Sequence, residues 1–180
     1  NFIISLFVNI RSLLIGKFYT PSMLAYFERG KQFPALIMDN INTSIQTVLF
    51  PVFSSKQDER NNMRNMVSRS IKTSSLVIFP LLIGLFSVAT PLVNVLLTEK
   101  WMFSVPFIRI FCIAYLLMPM QIANIEAIKA MGRSDIFLKM ELFKKVLEIS
   151  ILAITVFINV YAIAIGVIVY NFICIFINTY

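Results

Sequence analysis

Apolar residues in this chain fall in long blocks, not at the three-to-four-residue spacing of a soluble amphipathic helix. Six blocks approach the roughly 20 residues a helix needs to cross a bilayer. They cover residues 1–19, 33–53, 74–98, 103–128, 136–158 and 160–179. The connections are short, and the longest polar one is "SSKQDERNNMRNMVSRSIK" in the 54–73 loop. No soluble domain fits between the blocks. The pattern predicts an all-α integral membrane protein of six spans. Pro80, Gly84 and Pro91 fall in the third span, and Pro106 and Pro119 in the fourth. Proline leaves a carbonyl unpaired and bends a helix, which suits helices that rock.

One block breaks the pattern. In "DNINTSIQT", Asp39 to Thr47, seven of nine residues are polar. At about 100° per residue, Asp39, Asn40, Asn42, Thr43, Ser44, Gln46 and Thr47 share one arc. Ile37, Met38, Ile41, Ile45, Val48, Leu49 and Val52 fill the opposite arc. Unpaired polar groups are costly in hydrocarbon, so the arc cannot face lipid tails. It either lines a water-filled cavity or lies flat among headgroups. Flat interfacial helices carry Lys and Arg on the polar face, whereas this arc is amide and hydroxyl with one carboxylate, which favours the cavity.

Composition agrees with the class: 58% of residues are hydrophobic, 14% are charged, and the mean hydropathy is +0.82. A soluble domain of this size needs far more charge. Both ends lie inside apolar sequence and the chain does not open with Met, which reads as a segment of a longer polytopic protein. Arg11 within "NFIISLFVNIRSLLIGKFY", and the lack of a small-residue cleavage site, argue against a signal peptide. There is no histidine, which removes His-based catalysis and the usual zinc sites. The five glycines form no phosphate loop. Cys112 and Cys174 lie in separate blocks and read as buried thiols, neither a disulfide nor a metal pair. No cofactor or metal is expected.

The net charge of +7 sorts by side. Lys56, Arg60, Arg64, Arg69, Lys72, Lys129, Arg133, Lys139, Lys144 and Lys145 fall in or near the 54–73 and 129–145 regions, ten in all, against Lys17, Arg29, Lys31 and Lys100 on the other side. By the positive-inside rule the first set is cytoplasmic. The charge therefore predicts topology and contact with membrane lipids, not nucleic-acid binding. Arg11 and Arg109 lie within spans. Arg11 is eight residues in from Tyr19, roughly 12 Å, in a core about 30 Å thick. Arg109 is six residues in from Phe103, roughly 9 Å. Buried arginines mostly face cavities or partners. A salt bridge inside the bundle is the ordinary alternative for Arg11, and snorkelling to the surface for Arg109. Glu126 is expected to pair with Lys129 at i+3, and Glu141–Lys145 and Lys144–Glu148 at i+4 in a solvated first turn.

Four stretches, "GKFYTPSMLAYFERGKQFP", "SIQTVLFPVFSSKQDE", "PLLIGLFSVATPLVNVLLTEKW" and "AIKAMGRSDIFLK", together resemble the polysaccharide exporters of the multidrug/oligosaccharidyl-lipid/polysaccharide superfamily, which include the O-antigen flippases. The resemblance covers almost the whole chain and is to the second half of the family, starting near its seventh helix. Leu24-Ala25-Tyr26-Phe27 departs slightly from the family's usual Gly-Tyr-Tyr run. The resemblance implies one six-helix lobe, residues 1–180, of a two-lobe transporter of 12–14 helices whose first lobe is absent from this chain. It implies a bacterial inner-membrane protein that moves undecaprenyl-pyrophosphate-linked oligosaccharide outward by alternating access, and no enzyme.

No family motif covers the two arginines. Their depth and charge alone nominate Arg11 and Arg109 as substrate-binding, with Asn42 and Gln46 as hydrogen-bonding partners and Asp39 as a possible ion-coupling group. Two other readings compete. A multidrug/cation antiporter of the same superfamily expects mid-membrane carboxylates, and here only Asp39 qualifies. A membrane-embedded enzyme of polysaccharide synthesis expects acidic clusters or long external loops, and the outer loops, about 20–32 and 98–103, are short. The polar arc disfavours a purely structural scaffold.

Overall fold

The structure is a computed structural model. It describes residues 2–54 and 60–179, and the side chains of these apart from 2–9, 44–46, 48–54, 60–64, 130, 134 and 179. Nearly all the described residues are helical: α1 (Phe2–Phe18), α2 (Pro21–Ser54), α3 (Arg60–Leu97), a 3-10 segment η1 (Glu99–Ser104), α4 (Val105–Leu116), α5 (Met118–Ala130), α6 (Ser134–Thr155) and α7 (Val160–Thr179).

Among the described residues two helices are long and apolar enough to cross a membrane, Asn65–Leu97 and Val160–Asn178, and the pair Glu99–Leu116 with Met118–Lys129, bent by 42°, makes a third where it acts as one broken span. The break at Leu117 has a local cause. Pro119 opens α5, and its ring and missing N–H cannot continue the α4 ladder. Pro106 instead sits in the first turn of α4, where a missing donor costs nothing. Pro80 and Pro91 stay inside a continuous α3.

Two expected loops are helix instead. α2 begins at Pro21 and takes in most of the expected 20–32 loop, because proline is well placed in a first turn. α3 begins at Arg60 and takes in most of the 54–73 loop. Arg69 and Lys72 therefore stand on a helix, while Lys56 lies outside the described residues. At 34 and 38 residues, α2 and α3 are roughly 51 and 57 Å long, well beyond a hydrocarbon core of about 30 Å.

α4 is the centre of the bundle, in contact with α2, α3, α5, α7 and η1. Phe107, Ile108, Phe111 and Ala114 are fully buried. Phe27 of α2 packs edge-on against Phe107 and Phe111, with ring centroids 5.7 and 5.2 Å apart, and Tyr161 of α7 stacks on Phe107 at 4.8 Å. α3 presents Ser74, Ile78, Leu82, Leu85, Ala89 and Val93 inward, at the three- and four-residue steps of one helix face. Its other faces expose Leu76, Phe79, Leu81, Ile83, Phe86 and Val88. Contiguous exposed apolar surface on this scale marks a lipid-facing protein. The chain is a multi-pass membrane protein.

The turns are specified locally. α5 is stopped by Gly132, two residues past its end, whose φ of +67° is the left-handed conformation favoured by glycine. Its N–H donates to Lys129 O at 3.0 Å and that of Arg133 to Ile128 O at 3.3 Å, the paired bonds of a Schellman stop. Asp135 then opens α6, its carboxyl held below the usual range first by the backbone N–H of Ile136 and, more weakly, by Arg133. Between α3 and η1, Thr98 takes φ 77° and ψ 166°, a region nearly reserved for glycine. That turn sets Trp101 beside α2, with its N–H bonded to Thr98 O at 3.1 Å.

Candidate functional site

On α2 the two predicted arcs separate as packing and exposure. Met38 is fully buried and Ile37 and Ile41 pack against the core, while Asp39, Asn40, Thr43 and Thr47 are exposed. The polar arc therefore faces away from the centre of the bundle. It partly satisfies itself along the helix. Asn40 Nδ2 donates to Leu36 O at 2.7 Å, Thr43 Oγ1 to Asp39 O at 2.8 Å and Thr47 Oγ1 to Thr43 O at 2.7 Å. Asn42 is half-buried, and its Oδ1 is enclosed without a hydrogen-bond partner. The side chain of Gln46 lies outside the described residues.

Arg11 has a partner on α6. Its Nη2 lies 2.9 Å from Glu148 Oε1, with both side chains more than four-fifths buried, and Lys145 Nζ lies 2.9 Å from Glu148 Oε2. One carboxylate thus binds two cations. Next to Arg11 on α1, Ser12 Oγ donates to Glu28 Oε1 of α2 at 2.5 Å. Polar contacts thus join α1 to α6 through Arg11–Glu148 and α1 to α2 through Ser12–Glu28.

Arg109 is placed elsewhere. It is exposed on α4, donates from Nη2 to Thr90 Oγ1 of α3 at 3.2 Å, and lies 5.6 Å from the Phe86 ring centre. Arg11 and Arg109 therefore contact different helices. The Glu126–Lys129 pair forms at 2.9 Å as expected. The i+4 pairs expected on α6 do not form; Lys144 pairs with Glu141 at 3.1 Å and Lys145 with Glu148, both at i,i+3. Nor is that segment a solvated turn. Leu138, Leu142, Val146 and Ile149 are exposed, whereas Lys144 is buried and Glu148 points inward to Arg11.

Sequence reasoning missed Glu148 as Arg11's partner, although depth signals it: Glu148 stands 14 residues into α6, roughly 21 Å. It also missed Asn171 on α7. Its amide donates to Ala114 O at 3.0 Å, and its own carbonyl accepts from Gln121 Nε2 at 3.2 Å. Ala114 is among the last four residues of α4, whose carbonyls lack an intrahelical donor. Asn171 thereby ties α7 to both sides of the α4–α5 break.

Residues 1–106, from α1 to the start of α4, match the family described as "Polysaccharide biosynthesis protein". The chain belongs to that family. It is similar to the teichuronic acid biosynthesis protein TuaB of Bacillus subtilis, at 31% identity over 71% of this chain and 26% of that protein. It is also similar to the lipopolysaccharide biosynthesis protein WzxC of Escherichia coli, at 26% identity over 81% of this chain and 30% of that protein. A membrane protein encoded in the cps region of Klebsiella pneumoniae shares 36% identity over 41% of this chain and 15% of its own length. The chain thus spans under a third of the length of these family relatives. No solved structure matches it significantly.

Proposed function

We propose that this chain forms one six-helix lobe of a two-lobe exporter, which carries a lipid-linked oligosaccharide from the cytoplasmic to the outer leaflet by alternating access. The observation that carries the reading is the orientation of α2. Asp39, Thr43 and Thr47 face outward on a 34-residue helix, and in this reading that stretch lies within the bilayer, where lipid tails would be hostile to them. A hydrophilic route bounded by the missing lobe accounts for that face. In this reading the substrate's pyrophosphate needs counter-charge along the route, because a polyanion cannot cross hydrocarbon. Arg11, and secondarily Arg109, supply it, while Asn42 and Gln46 bond sugar or phosphate oxygens. Guanidinium suits the task because it stays charged and grips phosphate in pairs. The names of two relatives, a teichuronic acid and a lipopolysaccharide biosynthesis protein, support a glycan cargo.

The pairing of the interior carboxylates favours this reading over a cation antiporter. Glu148 is neutralised by Arg11 and Lys145, and Glu126 by Lys129. The short connections favour transport over synthesis, since they leave little backbone for an external catalytic domain. Deleting the gene is expected to make lipid-linked oligosaccharide accumulate on the cytoplasmic leaflet. Absence of that intermediate would indicate an enzyme instead.

Sidedness and the cavity are tested together. In this reading the start of α3 and the α5–α6 junction face the cytoplasm and the α1–α2 junction faces outward. A single cysteine at Ser22 should react with an impermeant thiol reagent in intact cells, and one at Arg133 should not. Cysteines at Asn42 and Thr43 should react with small water-soluble reagents, and one at Met38 should not. Labelling at Arg133 would reverse the orientation, and equal labelling at Met38 and Thr43 would remove the cavity.

A further inference from the structure

Where α2 begins, five residues at helical spacing, Ala25, Glu28, Arg29, Gln32 and Ala35, combine with Lys31 and with Trp101 of η1 to line an open groove of about 500 Å³. That is within the roughly 300–1,000 Å³ of small-molecule sites. The two alanines leave the floor low, and Trp101 forms the wall.

The polar groups are already held in place. Arg29 lies 5.2 Å from the Trp101 ring centre, and its Nη1 donates to Gln32 Oε1 at 2.8 Å. Tyr26 and the indole stand perpendicular to each other with centroids 5.9 Å apart, and Tyr26 in turn meets Phe103 at 5.5 Å. Glu28 is fixed from behind by the Ser12 hydroxyl. These contacts use one N–H of Arg29 and one oxygen of Glu28. Among the described residues, the remaining guanidinium donors, the Gln32 amide donors, the Lys31 ammonium and the second Glu28 oxygen are left for a ligand. Two cations against one carboxylate give the lining a net positive charge.

A hydroxylated ligand needs both donors and acceptors, an apolar sugar face needs an aromatic wall, and a carboxylate needs a pre-set guanidinium. We propose that this groove binds the acidic sugar residues of the exported glycan, with Arg29 and Lys31 holding the carboxylate and Trp101 flanking the ring. The proposal rests on the exporter reading, and it adds a second contact point about 20 Å along α2 from the Asn42 region, at the end where the glycan would emerge.

The test uses the full-length protein in phosphatidylcholine nanodiscs, titrated calorimetrically with a soluble tetrasaccharide containing uronic acid and with neutral maltotetraose. The acidic sugar should bind saturably and about tenfold more tightly than the neutral one, as expected for one charge-assisted pair. Arg29→Gln, at an exposed position, should erase that preference. Trp101→Ala should weaken both sugars, and Gln32→Ala serves in its place if Trp101→Ala melts early. Absence of saturable binding, equal affinity for the two sugars, or unchanged binding by Arg29→Gln would overturn the proposal. So would loss of sugar binding once phosphatidylglycerol is added to the discs, because the groove would then be a headgroup anchor. Sugar binding without cytoplasmic accumulation of lipid-linked oligosaccharide in the deletion strain would keep the groove and remove the exporter; accumulation without sugar binding would do the reverse.

Discussion

An Arg11→Gln variant is expected to lose export by about tenfold or more while reaching the membrane in normal amount, with Arg11→Lys keeping part of the activity. The size follows from losing a charged, phosphate-matched group from a low-dielectric route. Normal protein level follows from the geometry: Glu148 keeps Lys145 at 2.9 Å when Arg11 is gone, so no carboxylate is stranded. Removing one partner of a buried pair otherwise costs about 3–5 kcal/mol. The Arg11→Gln/Glu148→Gln double variant then separates two roles. If Arg11 only neutralises Glu148, removing both charges restores export. If Arg11 serves the substrate, the double variant stays as inactive as the single one, which is the outcome expected here. Restored export, or full export by Arg11→Gln alone, would assign Arg11 to the scaffold.

The helical blocks were legible because lipid-facing helices need long apolar runs, and α3 and α7 carry the clearest ones. The opposed arcs of α2 were legible because periodicity alone sorts Met38 from Asp39. Helix ends were less so. Arg60 to Lys72 read as a loop from its polarity, yet a helix running past the bilayer into water tolerates polar residues on all sides. The α6 charges were misread for a related reason. In a membrane bundle the apolar side of a helix faces lipid and its charges turn inward, so Glu148 and Lys144 face the interior while Leu142 and Val146 face out. Arg11's partner, 137 residues away in sequence, is a tertiary fact that local spacing does not encode. The groove at Trp101 depends on a backbone turn at Thr98 that no side-chain pattern announces.

Gly30→Ala is expected to destabilise the bundle by about 3 kcal/mol, although alanine is the better helix former by about 1 kcal/mol. Gly30 sits where α2 crosses α4. A Cβ added there would overlap the Phe107 Cβ and come within 3.1 Å of the Ile108 nitrogen and the Phe107 carbonyl carbon. Backbone cannot rotate away as a side-chain tip can, so the helices must separate. The separation would loosen Phe27 from Phe107 and Phe111, all three fully buried. Gly84 gives the control, because a Cβ there meets nothing within 4 Å; Gly84→Ala should be neutral or mildly stabilising through propensity alone. Thermal melting of both variants in detergent makes the comparison. Phe107→Ala should fail to rescue Gly30→Ala, since the obstructing atom is the Cβ that alanine retains. Equal melting of the Gly30 and Gly84 variants, or rescue by Phe107→Ala, would show that α2 and α4 do not approach at Gly30.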